Sequence, residues 1–227
     1  MQKISIISTL MLLAMALGAC SGSDSASDIT GTDNGLPDTI STDGKTLVVY
    51  FSKTLPAGLD NVTGATDIVR DNGNDYGANQ YLALMIARDL DADTLRLTVA
   101  ADHYPLAYND LASYARQERD QNSHPALTSR HVDMSDYTNI IIGTPIWWYT
   151  IPMPVYSFLD AYDLSGKNIF VYTTHAGSGL ADALSVIRRE EPRANVSSTA
   201  LSVRASNVSA STSTHVNQWL EQTGLRK

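Results

Sequence analysis

The chain has 227 residues, of which 43% are hydrophobic, and this is enough material for one α/β domain with extensions. It carries 24 acidic residues against 16 basic ones, for a formal net charge of -8. That balance argues against a nucleic-acid surface, which needs a basic footprint, and against electrostatic adsorption to an anionic membrane.

The first twenty residues have the pattern of an export signal. Lys3 gives a short positive segment, and residues 4–16 form an apolar run too short for a comfortable transmembrane helix. Small residues precede Cys20, the only cysteine, in a pattern that resembles the bacterial lipoprotein signal. We therefore expect residues 1–19 to be a signal peptide and Cys20 to be lipidated. The alternative is an ordinary signal peptide or an uncleaved anchor with an incidental cysteine.

This interpretation predicts a cell-envelope protein, lipid-anchored on the periplasmic or outer-membrane face. Residues 20–44 would be the lipidated cysteine and a flexible tether, because they are rich in Ser, Asp, Thr and Gly and have almost nothing to bury. Residues 45–227 would form the folded domain. With Cys20 assigned to lipid, this domain has no thiol, and His103 and His124 lack metal-ligand spacing, so we expect no metal site.

Apolar runs alternate with helical periodicities along the rest of the chain. Continuous apolar runs predict strands buried on both faces, and apolar stripes at helical spacing predict helices. The predicted strands are Thr46–Ser52, Thr94–Val99, Asp136–Thr144, Asn168–Thr174 and Val196–Arg204. The predicted helices are Gln80–Leu90, Ala112–Gln121, Pro152–Tyr162, Leu180–Arg189 and Thr214–Thr223. This alternation predicts an α/β fold with a doubly wound, parallel five-stranded sheet between two helical layers.

The segment Lys53–Tyr76 is polar and rich in Gly, Asp and Asn, without a clear period. We predict a long loop here. Loops of this length inside a domain are usually functional or mobile.

Three loops follow strands that we expect to be neighbours at the centre of the sheet. Parallel sheets place ligands at the carboxyl ends of their strands. Ser52 ends the first strand, and the next helix opens with Gly77–Gln80, whose backbone N–H groups suit a phosphate. The loop Pro145–Tyr149 contains two tryptophans, and the loop Thr174–Gly179 offers backbone donors beside glycines. The three loops together describe a mononucleotide site, although the tryptophans could equally cap the core or form a subunit contact.

Several motifs resemble the flavodoxin-like family, and the similarity extends from about Lys45 to Thr223. They are Tyr50-Phe51-Ser52, Gly143-Thr144-Pro145-Ile146-Trp147-Trp148, Asp163-Leu164-Ser165-Gly166-Lys167 and Thr174-His175-Ala176-Gly177-Ser178-Gly179. The resemblance implies a sheet of strand order 2-1-3-4-5 that binds FMN noncovalently. It implies phosphate contacts from Ser52, Thr54, Gly77, Ala78, Asn79 and Gln80. It also implies that the isoalloxazine ring is flanked by Pro145, Ile146, Trp147, Trp148, Thr174, His175, Gly177, Ser178 and Gly179.

The phosphate loop departs from the family pattern. The family usually has a compact Ser-x-Thr-Gly-Asn-Thr run directly after the first strand, whereas here Ser52 and Gly77 are far apart in sequence. Ala78 stands where the family has asparagine, and Asn79 stands where it has threonine. An asparagine amide can still donate to a phosphate, but one hydroxyl contact is lost. In the third loop, Ala176 replaces a glycine.

Two residues of the third loop suggest other chemistry. Histidines titrate near neutral pH, so His175 is a possible proton donor, although such a loop histidine often bonds the backbone instead. Ser178 lies between adjacent glycines, but a hydrolase nucleophile elbow needs glycines two residues to either side of the serine. The pattern therefore does not favour a hydrolase.

These observations favour an FMN-binding electron-transfer protein whose partner is a redox protein or a small electron acceptor. No second nucleotide-binding motif is visible, so we favour an electron carrier over an NAD(P)H-dependent oxidoreductase. An FMN-dependent reductase of quinones or small molecules is the enzyme alternative. A flavin-free flavodoxin-like binding module is the third hypothesis, supported by the altered Ala78-Asn79 turn. We expect membrane contact through the N-terminal lipid only, and no nucleic-acid partner.

Overall fold

The computed structural model of the protein describes residues 30–32, 40–53 and 68–226. The predictions for the signal peptide, Cys20 and Thr54 concern residues outside these ranges.

The five predicted strands are present and are separated by helices, as the sequence predicts. The strands are β1 (Thr30–Thr32), β2 (Thr46–Phe51), β3 (Ile68–Asp71), β4 (Asn74–Gly77), β5 (Asp93–Leu97), β6 (Asn139–Pro145), β7 (Asn168–His175), β8 (Asn195–Val196) and β9 (Thr199–Arg204). The helices are α1 (Ala78–Leu90), α2 (Tyr108–Gln121), α3 (Met153–Ala161), α4 (Ala183–Glu190) and α5 (Ser213–Gln222). Each predicted helix is present with ends shifted by up to four residues.

The main sheet runs in the order β1-β9-β7-β6-β2-β5, and β8 pairs with the start of β7. All of its pairs are parallel except β1 with β9, which is antiparallel. Counting only the five predicted strands gives the order 2-1-3-4-5. This confirms the predicted fold class.

The central strands are buried on both faces, which explains their unbroken apolar sequence. In β2, Leu47, Val49 and Phe51 face one hydrophobic layer, whose helical residues come from α2, α3 and α4. Val48 and Tyr50 face the opposite layer, which is built on α1 and α5. The side chains of neighbouring residues point to opposite faces of a strand, so one run of apolar residues supplies both cores.

The predicted loop Lys53–Tyr76 is wrong at its carboxyl end, where β3 and β4 form an antiparallel hairpin. Asn72 and Gly73 occupy the turn with φ of 50° and 78°. Asn-Gly is the preferred pair for a hairpin turn that needs two left-handed residues. The signal for this hairpin was therefore present in the sequence.

Two parts of the segment 20–44, which is predicted to be a tether, lie against the folded domain. Thr30–Thr32 pairs with β9, and the segment from Ile40 joins the folded domain. The Nδ2 atoms of Asn139 and Asn168 donate to the carbonyl oxygens of Thr42 and Ser41 at 2.9 Å and 2.7 Å. The amides at the start of two central strands thus fix the chain that enters β2.

Candidate functional site

The carboxyl ends of β2, β6 and β7 lie side by side at one edge of the sheet. The register places Tyr50 opposite Gly143 and Pro145 opposite Thr174. The loops that follow these strands must therefore leave the same edge, as the sequence predicts. This edge is the candidate site.

Asn79 lies in the first turn of α1 and is almost fully buried. Its side-chain Nδ2 donates to the backbone carbonyl oxygen of Phe51 at 2.6 Å. Its backbone carbonyl oxygen accepts a hydrogen bond from the Tyr172 hydroxyl at 3.0 Å. The side-chain donor expected to reach a phosphate therefore bonds the end of β2 instead. Only the backbone N–H of Asn79 is left as a predicted phosphate contact.

Tyr172 lies close against Gly143 of the neighbouring strand. A Cβ atom at Gly143 would come within 2.0 Å of the Tyr172 hydroxyl oxygen, so only glycine leaves space for this ring. Burial raises the pKa of Tyr172 well above its ordinary value, which keeps the hydroxyl protonated as a donor to Asn79. Gly143 thereby allows β7 to position the first turn of α1.

The backbone N–H groups at the start of α1 have no hydrogen-bond partner within the helix. Its N-cap residue, Gly77, makes no side-chain capping bond, and the first turn contains no acidic residue. The first N–H groups of any helix have no partner within that helix, and their dipoles favour an anion. Ser52 is 4% exposed, and its Oγ has no hydrogen-bond partner among the described residues. A buried hydroxyl beside unused backbone donors fits an anionic group.

A lysine follows Ser52 directly. Lys53 is 7% exposed, and its Nζ donates to the Leu106 carbonyl oxygen at 3.4 Å. Burial lowers the pKa of Lys53. Arg96 donates to the Ser52 carbonyl at 3.1 Å, so two basic side chains adjoin the end of β2.

Trp147 packs inward from the loop after β6. Its ring makes edge contacts with Phe51 at 5.5 Å and with Tyr104 at 5.4 Å between ring centroids. It is partly buried against the core and joins the ends of β2 and β6. One of the two predicted tryptophans therefore caps the core, at least in part.

Trp148 and Tyr149 form the outer part of the same loop. Trp148 is 39% exposed and Tyr149 is 74% exposed. The Trp148 Nε1 donates to the Ala112 carbonyl oxygen of α2 at 2.7 Å. The loop thus places two exposed aromatic side chains at the candidate edge, next to the aliphatic side chains of Pro145 and Ile146.

The loop after β7 satisfies part of its own hydrogen-bonding capacity. His175 is 2% exposed, and its Nδ1 accepts from the Gly177 N–H at 3.0 Å. The structure thus supports the backbone-bonding interpretation of this histidine. Gly177 and Gly179 have φ of 147° and 61°, which favour glycine. The N–H groups of Ser178 and Gly179 donate to no backbone carbonyl within the described part of the chain.

The structure thus brings together Ser52, Gly77, Ala78, Asn79 and Gln80 on one side with the loops from Pro145 and Thr174 on the other. Sequence reasoning missed Arg204, whose Nη1 donates to the Ala176 carbonyl at 2.7 Å and supports the third loop. It also missed Arg116 and Arg119, which lie over the Trp148 ring. No sequence pattern indicates that α2 turns these side chains toward the tryptophan loop.

Two further observations concern the described residues only. None of their helices combines the length and apolarity that crossing a bilayer would require. They also contain no group of three or more His, Cys, Asp or Glu side chains arranged to hold a metal ion.

The fold and the arrangement of loops at this edge define a flavodoxin-like α/β protein. A model of the flavodoxin family matches residues 76–223, which is more than half of the chain, and the protein belongs to that family. The match includes the second and third loops of the candidate site. A comparison with curated proteins found no significant match.

Solved structures agree on the fold. A protein from Bacteroides eggerthii is similar with a TM-score of 0.59 and 21% identity, covering 81% of this chain and 100% of its own. A protein from Bacteroides uniformis has a TM-score of 0.58 and 25% identity, covering 78% and 98%. A flavoprotein from Lactobacillus acidophilus, solved in complex with FMN, has a TM-score of 0.55 and 18% identity, covering 78% and 98%.

Proposed function

We propose that the protein binds FMN noncovalently at the carboxyl edge of β2, β6 and β7 and transfers electrons through it. One observation carries the proposal. The buried Ser52 hydroxyl, without a partner in the described part of the chain, lies at the edge where α1 begins without a capping side chain or an acid. Buried polar groups are normally hydrogen-bonded, so an unpaired one at a ligand-binding edge points to a ligand.

The phosphate would be held by the Ser52 hydroxyl and by backbone N–H groups of Gly77, Ala78, Asn79 and Gln80. Helix N-termini bind phosphates through these donors and through the helix dipole. Thr54 stays a predicted contact, because it lies outside the described residues. The Asn79 amide contributes indirectly, since its bond to Phe51 fixes the helix start against β2.

The isoalloxazine ring would lie between the loop Pro145–Trp148 and the loop Thr174–Gly179. The indole side chains offer a flat apolar wall. The N–H groups of Ser178 and Gly179, which bond no backbone carbonyl in the described part of the chain, offer donors to the ring oxygens. When bound, FMN supplies the electron-accepting and electron-donating chemistry, while the protein sets orientation and electrostatics. His175 is too deeply buried and too engaged with Gly177 for us to assign it a proton-donor role.

The cell-envelope location rests on the sequence. The signal pattern and Cys20 support a protein that is exported and then held at the membrane by lipid. Labelling cells with a radioactive or alkyne fatty acid tests this point, because a Cys20→Ser variant should lose the label.

Two forms of the electron-transfer function stay open. An electron carrier agrees with the lack of a second nucleotide-binding motif, and the acidic surface would steer basic protein partners. A reductase of quinones or other small molecules is favoured by the exposed rings of Trp148 and Tyr149 beside the site.

The test uses the chain from Ser21 onward, which contains every residue of the described fold. We expect a yellow protein whose flavin is released on denaturation and identified as FMN. A colourless protein that does not take up added FMN would contradict the proposal and leave the flavin-free binding module. Turnover with nicotinamide donors and quinones then separates a reductase from a carrier.

A further inference from the structure

The outer turn of the tryptophan loop has an unusual backbone. Trp148 and Tyr149 have φ of 52° and 64°, and the residues on either side, Trp147 and Thr150, exchange backbone hydrogen bonds of 2.9 Å and 3.1 Å. Two successive left-handed residues form a tight two-residue turn that normally contains Asn or Gly. Bulky residues are strained in such a conformation, which persists where the surroundings enforce it.

Contacts from α2 enforce the conformation of Trp148. The indole Nε1 donates to the Ala112 carbonyl, and the Trp148 carbonyl accepts from Arg119 Nη1 at 3.2 Å. The guanidinium groups of Arg119 and Arg116 lie 5.8 Å and 5.3 Å from the indole centroid. These contacts hold Trp148 against α2, whereas the next residue of the turn, Tyr149, is 74% exposed.

Arg119 and Arg116 differ in the hydrogen bonds and ion pairs that they make. Arg119 is bonded to Trp148 and makes two bonds to Asp120, from Nε at 2.9 Å and from Nη2 at 2.5 Å. Arg116 has a 60% exposed side chain, and its ion pair with Asp120 is long, at 3.7 Å. Arg116 thus lies over the Trp148 ring, and its side chain donates no hydrogen bond among the described residues.

We propose that this surface, formed by Trp148, Tyr149 and Arg116, binds a flat aromatic electron acceptor that carries an anionic group. The ring system would stack on the exposed aromatic side chains, and the anion would pair with the Arg116 guanidinium. A guanidinium pairs well with oxyanions and stays charged at all relevant pH values. Asp120 competes for this cation and limits the affinity. The inference deepens the proposed function, on which it rests, by naming the chemical class of a small acceptor.

Binding is measured with two ligands that share one ring system. Anthraquinone-2-sulfonate is the anionic probe, and 2-(hydroxymethyl)anthraquinone is the neutral one. The FMN-loaded chain from Ser21 onward is titrated with each, without reductant, and calorimetry or tryptophan quenching reports the Kd. We expect the sulfonate to bind about 2- to 5-fold more tightly, the range for an exposed ion pair. The preference should vanish at high salt.

Substitutions test which residues cause the preference for the sulfonate. Arg116→Gln should remove the preference, measured as the ratio of the two Kd values, and Arg116→Lys should keep part of it. Asp120→Asn should tighten the sulfonate by about 2-fold, because the competing carboxylate is gone. Arg193→Gln is the matched control, since Arg193 is 77% exposed and makes a long ion pair of 3.6 Å with Asp163.

Equal affinity for both ligands in the unmodified protein, or an undiminished preference in Arg116→Gln, would overturn the inference. The same loss in Arg193→Gln would overturn it too, because the effect would then reflect net charge. Tyr149→Ser should weaken both ligands, and an unchanged Kd would exclude stacking on Tyr149. A protein that binds FMN but shows no preference refutes the inference alone, whereas failure to bind FMN refutes the proposed function.

Discussion

The Nδ2 atom of Asn79 donates to the carbonyl oxygen of Phe51 at 2.6 Å, and this bond ties the first turn of α1 to the end of β2. Both residues are almost fully buried. The Asn79 side chain, which the resemblance implies would contact the phosphate, thus makes a structural bond instead. The phosphate would depend more heavily on backbone donors and on Ser52.

Replacing Asn79 by Ala should destabilise the fold. The substitution leaves the buried Phe51 carbonyl without its partner, and such a loss costs about 1–3 kcal/mol. Urea unfolding of the flavin-free chain measures the change. Gln80→Ala is the control, because Gln80 is the next residue of the same helix and makes no described side-chain bond to β2. Equal destabilisation by the two variants would contradict the structural role of the Asn79 amide.

Ser52→Ala should have opposite effects on stability and on ligand affinity. The Ser52 Oγ is buried without a described partner, so removing it should leave the unfolding free energy unchanged or slightly increased. The affinity for FMN should fall about 10-fold, because a hydrogen bond to a charged phosphate is lost. Riboflavin, which lacks the phosphate, should bind both proteins equally. A parallel fall in riboflavin affinity would argue against a phosphate contact.

Gly143→Ala should be more damaging than an ordinary glycine-to-alanine change in a strand. Its new Cβ would come within 2.0 Å of the Tyr172 hydroxyl oxygen, and Tyr172 has no space to retreat because it is fully buried. We expect a loss of about 1–3 kcal/mol from overpacking. Tyr172→Phe, which removes only the bond to Asn79, should cost about 1 kcal/mol. A stable Gly143→Ala protein would show that β6 and β7 are less closely packed than described.

Stability should depend on pH through Glu191. Burial, with a further contribution from the Asp163 carboxylate, raises the pKa of Glu191 to about 7 from an ordinary value of 4.5. Between pH 4.5 and pH 7, Glu191 therefore keeps its proton in the folded protein but has released it in the unfolded chain. The stability from neutral Glu191 is complete below pH 4.5 and is lost as the pH rises through 7.

Glu191→Gln should remove this loss, so the unfolding free energy should fall less between pH 4.5 and 7 than in the unmodified protein. Urea titrations at several pH values measure the difference. Glu221→Gln is the control, because Glu221 is an exposed carboxylate of α5 that does not contribute to the pKa of Glu191. Identical pH profiles for Glu191→Gln and the unmodified protein would contradict the assignment. Glu191 ends the charged run Arg188–Glu191, yet it is only 8% exposed.

The fold was predictable because its signals are local and strong. The triple isoleucine of β6 and the apolar runs of β2 and β7 specify buried parallel strands, and the parallel arrangement then brings their carboxyl ends to one edge. The hairpin β3–β4 was not predicted because only two of its residues, Ile68 and Val69, are apolar and buried. Its Asn72-Gly73 turn was the overlooked signal.

The details of the site were less predictable because they depend on side-chain direction. A sequence shows that Asn79 replaces a threonine, but not that its amide turns toward Phe51. The left-handed turn at Trp148 and Tyr149 is also hidden, since neither residue favours that conformation. Contacts with α2, remote in sequence, determine it.

The proposed site is tested most directly by titrating the flavin-free chain from Ser21 onward with FMN and following flavin absorbance and fluorescence. The proposal predicts saturable one-to-one binding with a Kd at or below ~10 µM, together with a perturbed absorbance spectrum from stacking on the tryptophan loop. Absence of saturation up to ~1 mM FMN, in a chain shown to be folded by cooperative unfolding, would contradict it.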